Sequence, residues 1–218
     1  KGERIPLTVA EADRNAGTLS LVVQEVGYST QLLGAMKEGD TINDLVGPLG
    51  KPSEIAEYGQ VVVVGGGVGT AVAYPEAKAL KEAGNRLISI IGFRNKDLII
   101  FENELKAISD QMFVATDDGS KGHHGFVSDV LKQLVDSGTK VDRVYASGPA
   151  IMMKVISNLT RSYAIRTMVS LNPIMLDGTG MCGACRVTVG GQTRFACVDG
   201  PSFDGHQVDF EELMARLR

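Results

Sequence analysis

Hydrophobic positions recur most regularly in the middle of the chain, where short apolar runs alternate with amphipathic stretches. Strands are predicted at residues 60–64, 87–91, 111–115, 141–146 and 165–169, and helices at residues 70–83, 102–108, 126–136 and 150–158. The valine run at residues 61–64 is typical of a strand that is covered on both faces. The alternation therefore predicts an α/β domain with a doubly wound parallel sheet over residues 54–170.

The segments on either side have different patterns. Residues 1–53 contain alternating runs at 5–10, 18–23 and 40–46 and a short helical stretch near 30–37, a pattern that predicts an antiparallel β-barrel. Because a barrel must close on itself, this length supplies only part of one, and the rest is expected upstream of Lys1. The glycine-rich residues 171–218 are predicted to form a small third domain, with strands at 186–189 and 193–196 and a helix near 208–217.

Composition and charge restrict the possible partners. The 218-residue chain is 44% hydrophobic and carries a formal net charge of −4, which argues against nucleic acid as a partner. No apolar run approaches the roughly 20 residues that a bilayer-spanning helix needs, so no membrane partner is expected. All three cysteines lie in one short stretch rather than in a spread disulfide framework. This arrangement predicts a reducing, cytoplasmic environment.

The cysteine stretch carries the most specific chemical signal. Asp177, Cys182, Cys185 and Cys197 have the spacing Asp-x4-Cys-x2-Cys-x11-Cys. Plant-type [2Fe–2S] sites have this spacing, with a cysteine at the first position. Thiolates suit iron–sulfur clusters or zinc better than magnesium or calcium. We predict a [2Fe–2S] cluster with these four ligands; zinc, metal-free buried thiols, or a fourth ligand from His206, water or a partner are the alternatives.

A glycine-rich turn is the second chemical signal. Residues 64–70 read VGGGVGT and join the first predicted parallel strand to a helix. Glycines at such a position let the backbone approach a pyrophosphate, and the helix N-terminus supplies unpaired N–H groups. A tight structural turn is the alternative. We predict that a nucleotide binds at Gly65, Gly66, Gly67, Val68, Gly69 and Thr70.

Further candidates follow the next strands, where open α/β sheets bind their ligands. Arg94 follows the second strand of the predicted sheet. Because an arginine there accommodates the 2′-phosphate of NADP whereas an acidic residue suits NAD, the choice between NAD(H) and NADP(H) stays open. Two short turns follow the third and fourth strands, and simple turns or helix caps are the alternative for both. Their residues are Asp118, Gly119 and Ser120, and Ser147, Gly148 and Pro149.

Over essentially its whole length the chain resembles the ferredoxin–NAD(P) reductase superfamily. The resemblance rests on the cysteine stretch, the glycine turn, the SGP turn at 147–149, and the segments RIPLT, VGYST and GPLG at 4–8, 26–30 and 47–50. The most similar branch contains the small subunits of electron-bifurcating NADH-dependent ferredoxin:NADP oxidoreductases. The electron-transfer subunits of dihydroorotate dehydrogenases, which have a cysteine in place of Asp177, are the alternative. A zinc-stabilised nucleotide-binding module without redox activity is a second alternative.

This resemblance implies the cofactors and partners. It implies an NAD(P)H-dependent flavin oxidoreductase subunit that passes electrons between NAD(P)H, FAD and a [2Fe–2S] cluster, with NADH as the nucleotide. A larger oxidoreductase subunit is the implied partner, and ferredoxin is a further candidate. Because cofactors carry out such chemistry, no acid–base catalytic residue is predicted. The residues implied to hold FAD are Arg4, Pro6, Leu7, Thr8, Gly27, Ser29 and Thr30.

Overall fold

The computed structural model describes residues 3–217. Lys1, Gly2 and Arg218, which the predicted first and third domains include, lie outside the described residues. The elements in chain order are β1 (Val9–Asp13), β2 (Thr18–Leu21), α1 (Tyr28–Gly34), β3 (Gln60–Gly66), α2 (Thr70–Glu82), β4 (Arg86–Phe93), α3 (Glu102–Ile108), β5 (Gln111–Thr116), β6 (His123–His124), α4 (Val127–Asp136), β7 (Arg143–Ser147), α5 (Ala150–Ser162), β8 (Arg166–Ser170), β9 (Arg186–Val189), β10 (Gln192–Phe195), α6 (Ala196–Asp199), β11 (Ser202–Asp204) and α7 (Phe210–Arg216).

A seven-stranded sheet with the order β11-β8-β7-β3-β4-β5-β6 forms the centre of the molecule. Its neighbouring strands are parallel, except that β11 runs antiparallel to β8. Val62 and Val64 of β3 pack in one core with α4 and α5, and Val61 and Val63 pack in a second core with α2 and α3. Helices therefore cover both faces, and the predicted doubly wound parallel sheet is confirmed.

Two short strands of this sheet were not predicted. β6 has two residues and β11 has three, too few for a hydrophobic period to be visible in the sequence. β11 lies within residues 171–218 but pairs with β8 through Ser202–Ser170, Phe203–Val169 and Asp204–Met168. The central sheet thus extends into the segment that was predicted as a third domain.

The N-terminal segment differs from its predicted strands. β1 and β2 form an antiparallel hairpin whose turn is set by Asp13, because Oδ1 of Asp13 accepts the N–H groups of Asn15 and Ala16. This turn determines which residues pair, so the strand predicted at 5–10 was wrong in position. The strand predicted at 40–46 was also wrong. Those residues are all described, form no regular element and lie exposed, with no strand beside them to accept their backbone hydrogen bonds.

The C-terminal segment contains a second antiparallel hairpin, β9 and β10, followed by two helices. Val187 of β9 and Leu213 of α7 belong to the same core as α4 and α5. The side chain of Arg216 donates to the backbone carbonyl of Ala184 at 2.9 Å, which ties α7 to the segment before β9. None of the helices among residues 3–217 has the length and apolar character to cross a bilayer.

The core position of α4 gives a first prediction. Leu131 is 0% exposed, so Leu131→Ala leaves a cavity and should lower the free energy of unfolding by about 2–5 kcal/mol. Gln133→Ala, at an exposed position of the same helix, should change it by less than about 0.5 kcal/mol. Urea unfolding followed by circular dichroism measures both. Equal stability of the two variants would contradict the packing of α4 on the sheet.

Candidate functional site

The turn between β3 and α2 lies directly against the turn between β7 and α5. A Cβ atom on Gly69 would lie 2.5 Å from the carbonyl oxygen of Ser147, and one on Gly66 would lie 2.4 Å from Sδ of Met152. Gly67 has a φ of +53°, and a Cβ atom there would point into open space. Glycines thus permit the contact between the two turns and leave an accessible surface in front of Gly67.

Two hydroxyl groups are buried in these turns without a hydrogen-bond partner. Thr70 begins α2 and is 0% exposed, and Ser147 ends β7 and is 1% exposed. Neither Oγ1 of Thr70 nor Oγ of Ser147 has a partner. Buried polar groups are nearly always paired, since an unpaired one costs about 1–3 kcal/mol. The glycine turn and the SGP turn therefore meet around two hydroxyl groups with unused bonding capacity.

The predicted residues after β4 and β5 also lie together. The backbone carbonyl of Arg94 accepts the N–H of Asp118 at 3.2 Å, and Oδ1 of Asp118 accepts the N–H of Ser120 at 2.9 Å. Oγ of Ser120 accepts the N–H of Lys96 at 2.9 Å. The hydroxyl group of Ser120 holds the pKa of Asp118 below its ordinary value, so this carboxylate is ionised at neutral pH. Arg94 and residues 118–120 therefore lie at the same edge of the sheet as the turns that follow β3 and β7.

The residues predicted to hold FAD lie in two segments, one before β1 and one after β2, and these segments contact each other. Oγ1 of Thr30 accepts the N–H groups of Val26 and Gly27, and Oγ of Ser29 accepts the N–H of Glu3. The segment containing Pro6, Leu7 and Thr8 continues from there to β1. A pocket of about 240 Å³ is lined by Glu3, Ile5, Val26, Gly27, Tyr28, Ser29 and Thr30.

The four predicted metal ligands are arranged as two pairs. The Sγ atoms of Cys185 and Cys197 lie 3.2 Å apart, and both residues are buried. Asp177 adjoins the exposed Cys182, because its Oδ2 accepts the N–H of Cys182 at 2.7 Å, while its Oδ1 accepts the N–H of Thr179. Within residues 3–217 no three histidine, cysteine or acidic residues converge as a single metal site would require.

The two pairs differ in electrostatics. Burial, and to a smaller extent the adjacent Cys185, raise the pKa of the Cys197 thiol to about 11. The N–H of Thr179 lowers the pKa of the half-buried Asp177. Because a thiolate is the species that binds a metal, ligation by Cys197 would release a proton. His206, the alternative ligand, instead has its Nε2 3.0 Å from Oγ1 of Thr160.

The N-terminal segment contacts the cysteine loop, and no motif in the sequence indicated this contact. A guanidinium N–H of Arg4 donates to the carbonyl oxygen of Asp177 at 3.2 Å. A Cβ atom on Gly178 would lie 2.9 Å from Cδ1 of Leu49, in the GPLG segment. These contacts join residues more than 100 positions apart in the sequence, so no local pattern could have indicated them.

A larger cavity, of about 470 Å³, lies between β5 and α4. It is lined by Met112, Phe113, Val114, Gly122, His123, Val130, Gln133, Leu134 and Ser137. None of the residues predicted to bind a cofactor is among them, and most of the lining is apolar. The cavity is therefore separate from the candidate site.

A doubly wound sheet with a glycine turn, followed by a cysteine loop, defines a protein of the ferredoxin reductase-like class. Residues 172–209 match the iron–sulfur cluster binding domain of dihydroorotate dehydrogenase B. The chain is 56% identical over 217 residues to a dihydroorotate dehydrogenase B (NAD(+)) electron transfer subunit homolog from Thermotoga maritima, covering 100% of this chain and 76% of that protein. It is 33% identical to the electron transfer subunit from Fusobacterium nucleatum, covering 95% and 81%. The chain belongs to this family of electron-transfer subunits and their homologues.

Solved structures agree with this assignment. A chain of the NADH-dependent reduced ferredoxin–NADP oxidoreductase, studied for flavin-based electron bifurcation, superimposes with a TM-score of 0.93 at 55% identity, covering 99% of this chain and 77% of that chain. The cytochrome b5 reductase domain of Ulva prolifera nitrate reductase, at 20% identity and a TM-score of 0.52 over 71% of this chain and 72% of that one, shares the fold alone. The superfamily recognised from the motifs is confirmed.

Proposed function

We propose that this chain is an electron-transfer subunit that binds NAD(H), FAD and a [2Fe–2S] cluster and exchanges electrons with a larger oxidoreductase subunit. The arrangement of Asp177, Cys182, Cys185 and Cys197 as two ligand pairs carries this proposal. The proposed division is 1–53 for the flavin, 54–170 for the nucleotide and 171–218 for the cluster.

The paired ligands favour a [2Fe–2S] cluster over zinc. A [2Fe–2S] cluster has two irons, and each takes two protein ligands. Cys185 and Cys197 would hold one iron, and Asp177 and Cys182 the other. A structural zinc site instead needs four ligands around a single ion. The two pairs, Cys185 with Cys197 and Asp177 with Cys182, fit the two-iron arrangement.

The glycine turn supports nucleotide binding at the sheet edge. The backbone N–H groups around Gly67 and the start of the 13-residue helix α2 would receive the pyrophosphate. The unpaired hydroxyl groups of Thr70 and Ser147 offer further donors beside it. Arg94 by itself does not separate NADH from NADPH, and we assign NADH because the relatives are described as NAD(+)- or NADH-dependent.

The remaining residues would position the flavin next to the nicotinamide ring. FAD bound there would supply hydride-accepting and one-electron redox chemistry. Arg4, Thr8 and residues 27–30 would hold it. A Cβ atom on Gly148 would lie 2.7 Å from Cε of Met152 and 3.1 Å from Cα of Gly66, so glycine lets this turn pack closely against the glycine turn. The small Ser147–Gly148 segment would leave room for the nicotinamide ring.

Exposed apolar side chains near the cluster ligands support a protein partner. Ile174 is 53% exposed, Leu176 is 58% exposed, and Met181, next to Cys182, is 85% exposed. Apolar groups clustered at a surface mark interaction sites. The 55% identity to the bifurcating oxidoreductase chain favours a partner of that type, with ferredoxin as a further candidate. The alternative is a dihydroorotate dehydrogenase complex, as the description of the Thermotoga maritima relative suggests.

A visible spectrum tests the proposed cluster. Protein purified with iron and sulfide should be red-brown with broad absorption in the visible range, and iron and acid-labile sulfide should be equimolar. Dithionite should bleach the absorption and produce the EPR signal of a reduced [2Fe–2S] cluster. Colourless protein with stoichiometric zinc would refute the redox function.

The role of Asp177 gives a second prediction. Asp177→Cys should retain a [2Fe–2S] cluster with a changed reduction potential, because cluster potentials depend on ligand type and hydrogen bonding. Asp177→Ala should lose the cluster, since it removes both the ligand and the acceptor for the Cys182 N–H. Asp44→Ala, at an exposed position, is the control. Iron content and redox titration measure the outcome, and full occupancy in Asp177→Ala would point to another fourth ligand.

The glycine turn gives a third prediction. Gly67→Val should abolish NADH binding, because the side chain enters the open space where the pyrophosphate would lie. Gly138→Val is a matched control, since Gly138 also has a positive φ, of +84°, and open space at Cβ, but lies in the turn after α4. Isothermal titration with NADH compares them. Equal affinity in both variants would place the nucleotide elsewhere.

A further inference from the structure

The linker between the N-terminal segment and β3 lies across the C-terminal segment. The N–H of Lys51 donates to the carbonyl oxygen of Gly200 at 2.7 Å, and a Cβ atom on Gly50 would lie 2.5 Å from the same oxygen. Leu49 contacts Gly178, at the start of the cysteine loop. The linker thus touches the C-terminal segment both before the first cysteine and after the last one.

Two residues further along, the linker reaches a group of three polar side chains. Oγ of Ser53 donates to Oε1 of Glu76 at 2.8 Å, and Oγ of Ser202 donates to the same Oε1 at 3.3 Å. The two hydroxyl oxygens are 3.1 Å apart. Ser53 belongs to the linker, Glu76 to α2 and Ser202 to β11. One carboxylate oxygen therefore joins three separate parts of the fold.

The carboxyl group of Glu76 lies in an unfavourable environment that these hydrogen bonds offset. Burial raises the pKa of Glu76 above its ordinary value, whereas the hydroxyl groups of Ser53 and Ser202 lower it. Burying a carboxylate costs free energy unless it is hydrogen-bonded, so a simple packing role would be met better by an apolar side chain. The carboxylate instead fixes the positions of Ser53 and Ser202 relative to α2, because hydrogen bonds are directional.

The hydrogen-bonded group of Ser53, Glu76 and Ser202, called the joint below, links elements that lead to the two proposed cofactor sites. Glu76 is six residues after Thr70, about 9 Å along α2 at about 1.5 Å per residue, and Thr70 belongs to the glycine turn. Ser202 is five residues after Cys197, on the strand that pairs with β8. A displacement at the joint would therefore move the cysteine loop relative to the nucleotide turn.

We propose that Glu76 is a positioning residue that, through Ser53 and Ser202, holds the cysteine loop in a fixed position relative to the nucleotide turn. This role rests on the proposed nucleotide and cluster sites. Glu76 itself touches neither the nucleotide nor the cluster. Because Ser53 ends the segment proposed to hold the flavin, the same hydrogen bonds would also fix that segment relative to the cluster.

Four variants test the joint. Glu76→Ala and Ser202→Ala remove it from opposite sides, Glu76→Gln keeps an acceptor oxygen, and Glu82→Ala changes an exposed acidic residue of the same helix. In cofactor-loaded full-length protein, both joint-breaking alanine variants should slow electron transfer from flavin to cluster about tenfold, because small misplacements of reacting groups have large effects on rate. NADH affinity, cluster content and the cluster EPR signal should be unchanged. Glu76→Gln and Glu82→Ala should match the unsubstituted protein.

Amide hydrogen exchange provides a readout that does not need cofactors. Exchange at residues 49–53 and 200–204 should be faster in Glu76→Ala and Ser202→Ala, while residues 65–70 keep their protection. Unchanged exchange, an unchanged flavin-to-cluster rate, or a parallel loss of NADH affinity and cluster content would overturn the positioning role. If Glu76→Ala does not fold, Ser202→Ala decides. Absence of a cluster in the unsubstituted protein would refute the proposed function, whereas the exchange data would still decide whether the joint exists.

Discussion

The close approach of two backbone turns is the constraint on which the candidate site depends. β3 and β7 are parallel neighbours, so the turns that follow them must share one edge of the sheet. Gly69 lies so close to the carbonyl of Ser147 that any side chain would separate the turns. The contact also encloses the hydroxyl groups of Thr70 and Ser147 without partners. Close backbone packing and unused hydrogen-bonding capacity therefore arise from the same contact.

The cysteine loop is part of the main core rather than an appended tail. Cys185 and Cys197 belong to the same buried cluster as the helices on one face of the sheet, together with Phe203 of β11. Cys182 is exposed and Asp177 is half-buried. One proposed iron would thus have ligands held by core packing, and the other would face solvent or a partner. Such an asymmetry suits a cluster that receives electrons from inside the protein and releases them at its surface.

Directional contacts connect the N-terminal segment and the linker to the cysteine loop and β11. Arg4 and Leu49 contact the start of the cysteine loop, and Lys51 bonds the carbonyl of Gly200. Glu76 then joins the linker and β11 to the helix that begins at the glycine turn. If the proposed cofactor sites are occupied, these contacts would set the spacing between cofactors on which electron transfer depends.

The amino-acid sequence by itself determined the features that depend on neighbouring residues. The strand and helix alternation over 54–170, the glycine turn and the cysteine spacing were all read correctly as elements or motifs, because periodicity and turn chemistry act over a few residues. Their assignment to particular ligands stays a prediction.

Tertiary structure decided the remaining features. These are the position of β1 in its hairpin, the lack of a strand at residues 40–46, the pairing of β11 in the central sheet, and the Ser53–Glu76–Ser202 joint. Ser202 and Glu76 are 126 residues apart, and only the packing of β11 against β8 brings them within hydrogen-bond distance. Contacts of that range arise from the folded chain as a whole, and no local pattern encodes them.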